Sequence, residues 1–220
     1  MTGPDAGAFS RRAAEFSALK LPAASAGQRI GLLGGSFNPP HKGHRHVALT
    51  ALSRLGLDRV WWLVTPGNPL KALDDLTPLQ HRIAETKTLA HHPRMDVTAF
   101  EAAIGTRYSA DAIRYAKRRL PAVRFVWVMG ADNLAGLHRW QKWRDIMGLV
   151  PVAVIDRPGA SMAALNSVAA RTFAAARRPE AQARAIADAT PPAWVFLHVP
   201  LEPVSSTALR SQRRSSTPQS

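Results

Sequence analysis

The chain has 220 residues, room for one α/β domain with a small appendage. Apolar residues make up 46% and charged residues 20%, ordinary globular usage that excludes a disordered or fibrous chain. Cysteine is absent, which excludes disulfides, thiolate metal sites and cysteine nucleophiles. A formal charge of +14, from 29 Lys and Arg against 15 Asp and Glu, favours an anionic partner. It does not choose between nucleic acid, an acidic membrane surface and a triphosphate. No apolar run approaches the ~18 residues that span a bilayer, and the stretch after Arg11-Arg12 is broken by Glu15 and Lys20. A soluble, cytoplasmic protein without a membrane partner is expected.

Residues 1 to 28, rich in Ala, Ser, Arg and Pro, read as a loosely held extension. The apolar run Ile30 to Leu33 then reads as a buried strand ending at Gly34-Gly35. Gly43 to Leu55 follows as a helix, with Val47, Leu49, Leu52 and Leu55 at near-helical spacing. Val60 to Val64 is a second strand. Thr77, Pro78 and Gln80 read as N-cap, N1 proline and capping-box residue of a helix to about His91. Met95 to Phe100 reads as a third strand, Ser109 as the cap of a helix to Leu120, and Phe125 to Met129 as a fourth, nearly all-apolar strand. After Pro151 to Ile155 come an Ala-rich helical stretch from Ser161 to about Ala189, a strand from Trp194 to Val199 and a short helix from Ser205. Residues 213–220 read as a disordered tail.

Strands alternating with helices predict right-handed βαβ units. The expected architecture is a Rossmann-like, doubly wound parallel sheet with helices on both faces and a small C-terminal α/β extension. Residues 29–212 form its single domain.

In such a sheet ligands sit beyond the carboxyl ends of the strands, where the first strand here runs into Gly34-Gly35-Ser36-Phe37-Asn38-Pro39-Pro40-His41-Lys42-Gly43-His44. Paired glycines let backbone approach a phosphate, and the helix start offers unpaired N–H groups. His41 and His44, three apart, share a face of the first turn. The spacing is neither that of a dinucleotide fingerprint nor that of a P-loop. Taken singly, a glycine turn or a His-x-x-His pair is also ordinary surface structure.

Taken together, GGSFNPPHKGH resembles the signature of the nucleotidyltransferase superfamily with the (H/T)-x-G-H motif, in its nicotinate-nucleotide adenylyltransferase branch. The resemblance implies that His41 and His44 contact ATP phosphates and stabilise the charge that builds during transfer. It implies that Gly34, Gly35, Ser36, Phe37, Asn38, Lys42 and Gly43 form the ATP loop. Ser205-Ser206-Thr207-Ala208-Leu209-Arg210 is similar to the family's I-S-S-T-x-I-R segment. Its hydroxyls and Arg210 are expected to make a second ATP site, with Arg210 counted as catalytic.

Further resemblances place the nicotinate mononucleotide. Thr106, Tyr108 and Ser109 lie in a segment similar to (S/T)-Y-T-x-D-T, whose helix-start N–H groups would meet the carboxylate, although a capping Ser109 needs no ligand. Asp132, in Gly130-Ala131-Asp132, would bind ribose hydroxyls. Trp140 falls where an aromatic stacks on the pyridine ring, although Trp140 or Trp143 is equally suited to the core. Lys71 and Arg157 offer cations to phosphates. The match covers roughly residues 30 to 212, with Asn38 where many members have Asp and Ser109 where Thr is usual.

The implied reaction is in-line attack by the mononucleotide 5′-phosphate on the α-phosphorus of ATP, without a covalent intermediate. Mg²⁺ is expected as cofactor, held mainly through ATP phosphates, and no metal-ligating residues are assigned. ATP and nicotinate mononucleotide are the expected partners, without nucleic acid, and a homo-oligomer is compatible with the sequence. Two rivals stand beside this reading. One is a transferase using nicotinamide mononucleotide or phosphopantetheine, the second of which the segments around Tyr108 and Trp140 disfavour. The other is a nucleic-acid module, supported by net charge, Arg213-Arg214 and the run Arg171 to Arg184.

Overall fold

A computed structural model describes residues 18–67, 76–157 and 159–199. The strands are β1 (Arg29–Gly35), β2 (Arg59–Val64), β3 (Met95–Thr98), β4 (Arg124–Gly130), β5 (Val152–Ile155), β6 (Arg177–Arg178) and β7 (Trp194–Leu197). The apolar runs of β1, β2, β4, β5 and β7 are buried on both faces, whereas of the edge strands β3 is partly buried and β6 exposed. The strands form one seven-stranded sheet in the order β3-β2-β1-β4-β5-β7-β6, and every pairing in it is parallel. The helices among the described residues are α1 (Lys42–Arg54), α2 (Leu79–Leu89), α3 (Phe100–Ala103), α4 (Ser109–Arg119), α5 (Ala131–Gly136), α6 (Trp143–Leu149), α7 (Ser161–Leu165) and α8 (Val168–Thr172).

Alternation along the strands divides the core between the two faces. Val60, Trp62 and Val64 pack with Val47 and Leu52 of α1 and Ile83 of α2 on one side. Ile30, Leu32, Trp61 and Trp127 pack with Ile113 of α4 and Ile146 of α6 on the other. The doubly wound architecture is therefore present, and β7 and β6 supply the C-terminal extension of the sheet. The order reverses between β1 and β4, which places the ligand crevice beyond their carboxyl ends.

Several local expectations are corrected. Residues 18–28 are not loosely held: Ala18 is buried, Ala99 donates its N–H to the Ala18 carbonyl at 2.6 Å, and the Thr98 hydroxyl donates to the Lys20 carbonyl at 2.8 Å. Residues 1–17 and the tail 213–220 lie outside the described residues. The third strand stops at Thr98, whose hydroxyl accepts the Phe100 N–H and turns the chain into α3. Thr77 does not cap α2. Its N–H is held by Asn38 Oδ1 at 3.2 Å and its carbonyl by Arg82, so Pro78 stands at the N-cap. The Ala-rich stretch 161–189 is not one helix. Ser167 Oγ accepts the Ala170 N–H and restarts the chain as α8, the Trp194 indole donates to the Phe173 carbonyl at 2.7 Å, and Pro179 precedes a run of 3₁₀ turns.

One buried cation joins the loops at the carboxyl edge. Arg82, on α2, is 1% exposed. Its Nε donates to the Thr77 carbonyl at 2.8 Å, Nη1 to the Ser36 and Thr65 carbonyls at 2.7 Å each, and Nη2 to the Pro66 carbonyl at 3.2 Å. Burial lowers its pKa from the ordinary value, yet a guanidinium keeps its charge in proteins. A lysine offers one compact ammonium in place of the fork and leaves buried carbonyls unpaired. Arg82→Lys is expected to cost about 3 kcal/mol in urea unfolding. A loss below about 1 kcal/mol would show that the fork is not what holds these loops.

Candidate functional site

The loop that leaves β1 is shaped from below and from within. At Gly34 a Cβ would stand 2.5 Å from Cη2 of the buried Trp127, which leaves no room for a side chain, and at Gly35 it would press on the Phe37 ring at 3.0 Å, so that the ring would have to give way. Phe37 adopts a left-handed φ of 44° and is 1% exposed. Its ring lies 5.2 Å from Trp62 and edge-on to His44 at 5.0 Å, an apolar seat beneath the histidines. Asn38 is buried, and Ser36 is held through its carbonyl by Arg82. Lys42 is exposed at the first position of α1, and Gly43 beside it is buried.

The two histidines cap α1 reciprocally. His41 stands at the N-cap with extended backbone and its Nδ1 accepts the Gly43 N–H at 3.1 Å, while Nδ1 of His44 accepts the His41 N–H at 3.2 Å. Both accepting nitrogens are Nδ1, so the ring proton of each imidazole is carried on Nε2. The rings are 3.8 Å apart between centroids and 32° from parallel. His41 is 5% exposed, and its pKa falls to about 4: burial is the main cause, Arg157 adds repulsion, and Asp132 opposes it in part. At neutral pH His41 is thus a neutral donor beside a cation.

Arg157 and Asp132 reach this place from β5 and β4. Gly130 ends β4 where a Cβ would collide with Asp132 Oδ1 at 2.5 Å and Arg157 Cδ at 2.6 Å. Arg157 Nη1 lies 3.5 Å from Asp132 Oδ1. Asp156, buried at the end of β5, accepts the Arg157 N–H at 2.8 Å and the Ser161 hydroxyl at 2.5 Å, which fixes the turn that carries Arg157. The structure therefore brings His41, His44, Asp132 and Arg157 to one crevice.

A second group lies at the starts of α4 and α6. The Thr106 hydroxyl accepts the Tyr108 N–H at 3.1 Å, and Tyr108, in extended backbone, is the N-cap of α4. Ser109 is the first helical residue and not the cap, because this hydroxyl turn starts the helix one residue earlier than the serine suggests. Trp143 is core at 7% exposure, whereas Trp140 is only partly buried. Lys142, with a left-handed φ of 56°, pairs its Nζ with Asp111 Oδ1 at 3.1 Å and joins this loop to α4. Lys71, Ser205, Ser206, Thr207 and Arg210 lie outside the described residues.

Motif reading passes over Arg82, Asp156 and Glu101, all buried polar residues behind the crevice. A charged residue at an inward helical position is the available signal for Arg82. Among the described residues no three His, Asp or Glu side chains cluster to hold a metal ion. The donors at the crevice are imidazole, guanidinium and backbone N–H, a set suited to phosphate oxygens.

The cytidylyltransferase-like family model matches residues 32–212. A protein of Methylorubrum extorquens named probable nicotinate-nucleotide adenylyltransferase is 58% identical over 184 residues, 84% of this chain and 100% of that one. A similarly named protein of Rhizobium meliloti is 55% identical over 184 residues, 84% of this chain and 98% of that one. Among solved structures, the Plasmodium falciparum nicotinic acid mononucleotide adenylyltransferase complexed with NaAD matches with a TM-score of 0.63 at 15% identity, over 84% of this chain and 83% of that chain. That likeness is one of fold.

The depressed His41 pKa has a thermodynamic consequence. As pH falls from 6.5 towards about 4, the unfolded chain takes up a proton at His41 that the folded chain refuses, so stability is lost across that window. The contribution is up to about 3 kcal/mol. Urea unfolding between pH 7 and 4 should show a shallower acid loss for His41→Asn than for the wild type, and parallel curves would contradict the burial of a neutral imidazole.

Proposed function

Given that the chain belongs to the nicotinate-nucleotide adenylyltransferases of the cytidylyltransferase-like family, we propose that its crevice at the β1/β4 switch point carries out adenylyl transfer through His41 and His44. The reaction joins the AMP part of ATP to nicotinate mononucleotide, releasing pyrophosphate and forming nicotinate adenine dinucleotide, a step in NAD biosynthesis. The observation that carries the assignment of roles is the reciprocally capped pair of imidazoles, with their protons on Nε2, at the start of α1.

In the step itself a 5′-phosphate oxygen of the mononucleotide attacks the α-phosphorus of ATP. The new P–O bond forms as the bond to the β-phosphate breaks, and the electron pair leaves with pyrophosphate. His41 and His44 donate to phosphate oxygens whose charge grows in the transition state, and fixed donors of that kind contribute most where water is excluded. Gly34, Gly35, Ser36, Phe37, Asn38, Lys42 and Gly43 form the ATP loop, joined by Ser205, Ser206, Thr207 and Arg210. Mg²⁺ is proposed to enter on the triphosphate and to neutralise charge on its oxygens.

On the mononucleotide side, Asp132 is the ribose partner, and Arg157 and Lys71 are phosphate partners. Trp140 is the stacking aromatic, and its partial exposure beside the buried Trp143 supports that division. Thr106, Tyr108 and Ser109 shape the start of α4 so that the N–H groups of its first turn face the nicotinate carboxylate. No helix among the described residues is long and apolar enough to cross a membrane, and the proposed place of action is the cytoplasm. The net charge is read as serving phosphate substrates and not nucleic acid. Arginines of the suspected basic run are spread among separate contacts, Arg177 over the Trp194 ring and Arg184 against Gly56.

Pyrophosphate release from Mg-ATP with each mononucleotide tests the reading. The acid is expected to exceed the amide in kcat/KM by up to about thirtyfold, the limit of a helix-terminus contribution of about 2 kcal/mol. His44→Ala is expected to lower turnover about 10²–10³-fold with the fold intact. Equal use of the two mononucleotides would move the chain to a dual-specificity reading. A His44→Ala variant with half of normal turnover would remove the histidines from the chemistry.

A further inference from the structure

Glu101 is a buried acid that the adenylyl transfer described above does not use. It is the second residue of α3 and is 3% exposed. Its carboxyl is hydrogen-bonded to Thr65, just past β2, and its Oε2 is buried without a partner among the described residues. Thr65 is also tied to the phosphate loop: its N–H donates to the Gly35 carbonyl at 3.0 Å, its carbonyl accepts from Arg82, and its hydroxyl donates to the Gly67 carbonyl at 3.3 Å. On its other side the Glu101 carbonyl accepts the Thr106 N–H at 3.0 Å, and the Thr106 hydroxyl accepts the Tyr108 N–H. A continuous line of hydrogen bonds therefore runs from the end of β1 through Thr65, Glu101 and Thr106 to the N-cap of α4.

We infer that Glu101 is a positioning residue for the mononucleotide, holding the Thr106–Ser109 segment in register with the phosphate loop by way of Thr65. The inference rests on the assignment of that segment to the mononucleotide. The burial of the carboxyl and its unpartnered oxygen identify the working form of the side chain. Burial decides between the acid and the carboxylate here, because the Thr65 hydrogen bond taken alone favours the charged form. A buried oxygen without a partner is tolerable on a neutral carboxyl and far more costly on a charged one. Burial, opposed by the Thr65 hydrogen bond, raises the pKa to about 7, so at pH 6 the acid form predominates.

A neutral carboxyl can be replaced by an amide, and an anion cannot. Steady-state kinetics at pH 6 should find the KM for nicotinate mononucleotide raised at least about fivefold in Glu101→Ala, with the KM for ATP within about twofold of wild type, and Glu101→Gln restored to wild-type values in both. Thr65→Val, which removes the hydroxyl at nearly constant shape, should reproduce the Glu101→Ala defect, and the double variant should be no worse than either single one. Should Glu101→Ala fail to fold, Thr65→Val and Glu101→Gln carry the test.

The proposal is overturned if Glu101→Gln matches Glu101→Ala, which would make the residue a working anion. It is overturned equally if the KM for ATP moves as much as that for the mononucleotide. Amide hydrogen exchange at Thr106 and Tyr108 in ligand-free protein gives a readout independent of turnover. Exchange should quicken in Thr65→Val and not in Glu101→Gln. A wild type inactive on the mononucleotide would remove the functional reading, while this exchange comparison would still decide the positioning role.

Discussion

The four carbonyl oxygens that Arg82 gathers belong to three separate stretches of chain: the loop after β1, the loop after β2 and the approach to α2. Loop backbone at the carboxyl edge of a parallel sheet cannot complete a ladder, and its buried carbonyls must find donors elsewhere. A guanidinium supplies several at once in a rigid plane. Arg82 therefore sets the relative heights of Ser36, Thr65 and Thr77, and through Thr77 also reaches Asn38. Its charge remains buried behind a loop whose proposed ligand is a triphosphate, where a low dielectric strengthens its field.

The histidines depend on this frame. Phe37, held in a left-handed turn against Trp62, supports His44 from below, and the reciprocal capping bonds then leave little freedom to either ring. Fixing both imidazoles before substrate arrives means that little reorganisation is required when charge develops. The neutrality of His41 follows from the same burial, sharpened by Arg157, so the cationic work falls to arginine and lysine while the histidines act as directed donors. The sheet contributes by ending β1 and β4 side by side, which is what lets Asp132 and Arg157 approach a loop far earlier in the chain.

What was legible in the sequence is what is local. The runs Val60 to Val64 and Phe125 to Met129 announce doubly buried strands, and Gly34 to His44 carries its chemistry in eleven consecutive residues. Arg82 and Glu101 were not legible because their partners lie far along the chain. Arg82 bonds a carbonyl 46 residues away, and Glu101 bonds Thr65 across two elements, so each resembles an ordinary charged residue on a short helix. Ser109 was misplaced by one residue because a threonine two positions before the N-cap performs the turn that a serine cap would have made. The stretch from 161 to 189 misled because alanine suits a helix without specifying a buried face, and the Ser167 cap, the Trp194 indole and Pro179 then decided the breaks.

The central claim is that the loop after β1 presents two imidazoles with their protons on Nε2, one of them kept neutral by burial, to the phosphates of ATP. Nitrogen-15 NMR of the histidine rings reads this directly. The account predicts Nε2–H tautomers for His41 and His44 at pH 7, a His41 ring that stays neutral down to about pH 5, and selective shifts of both Nε2 resonances on adding Mg-ATP. A His41 ring that titrates near 6.5, or an Nδ1–H tautomer at either histidine, would contradict it.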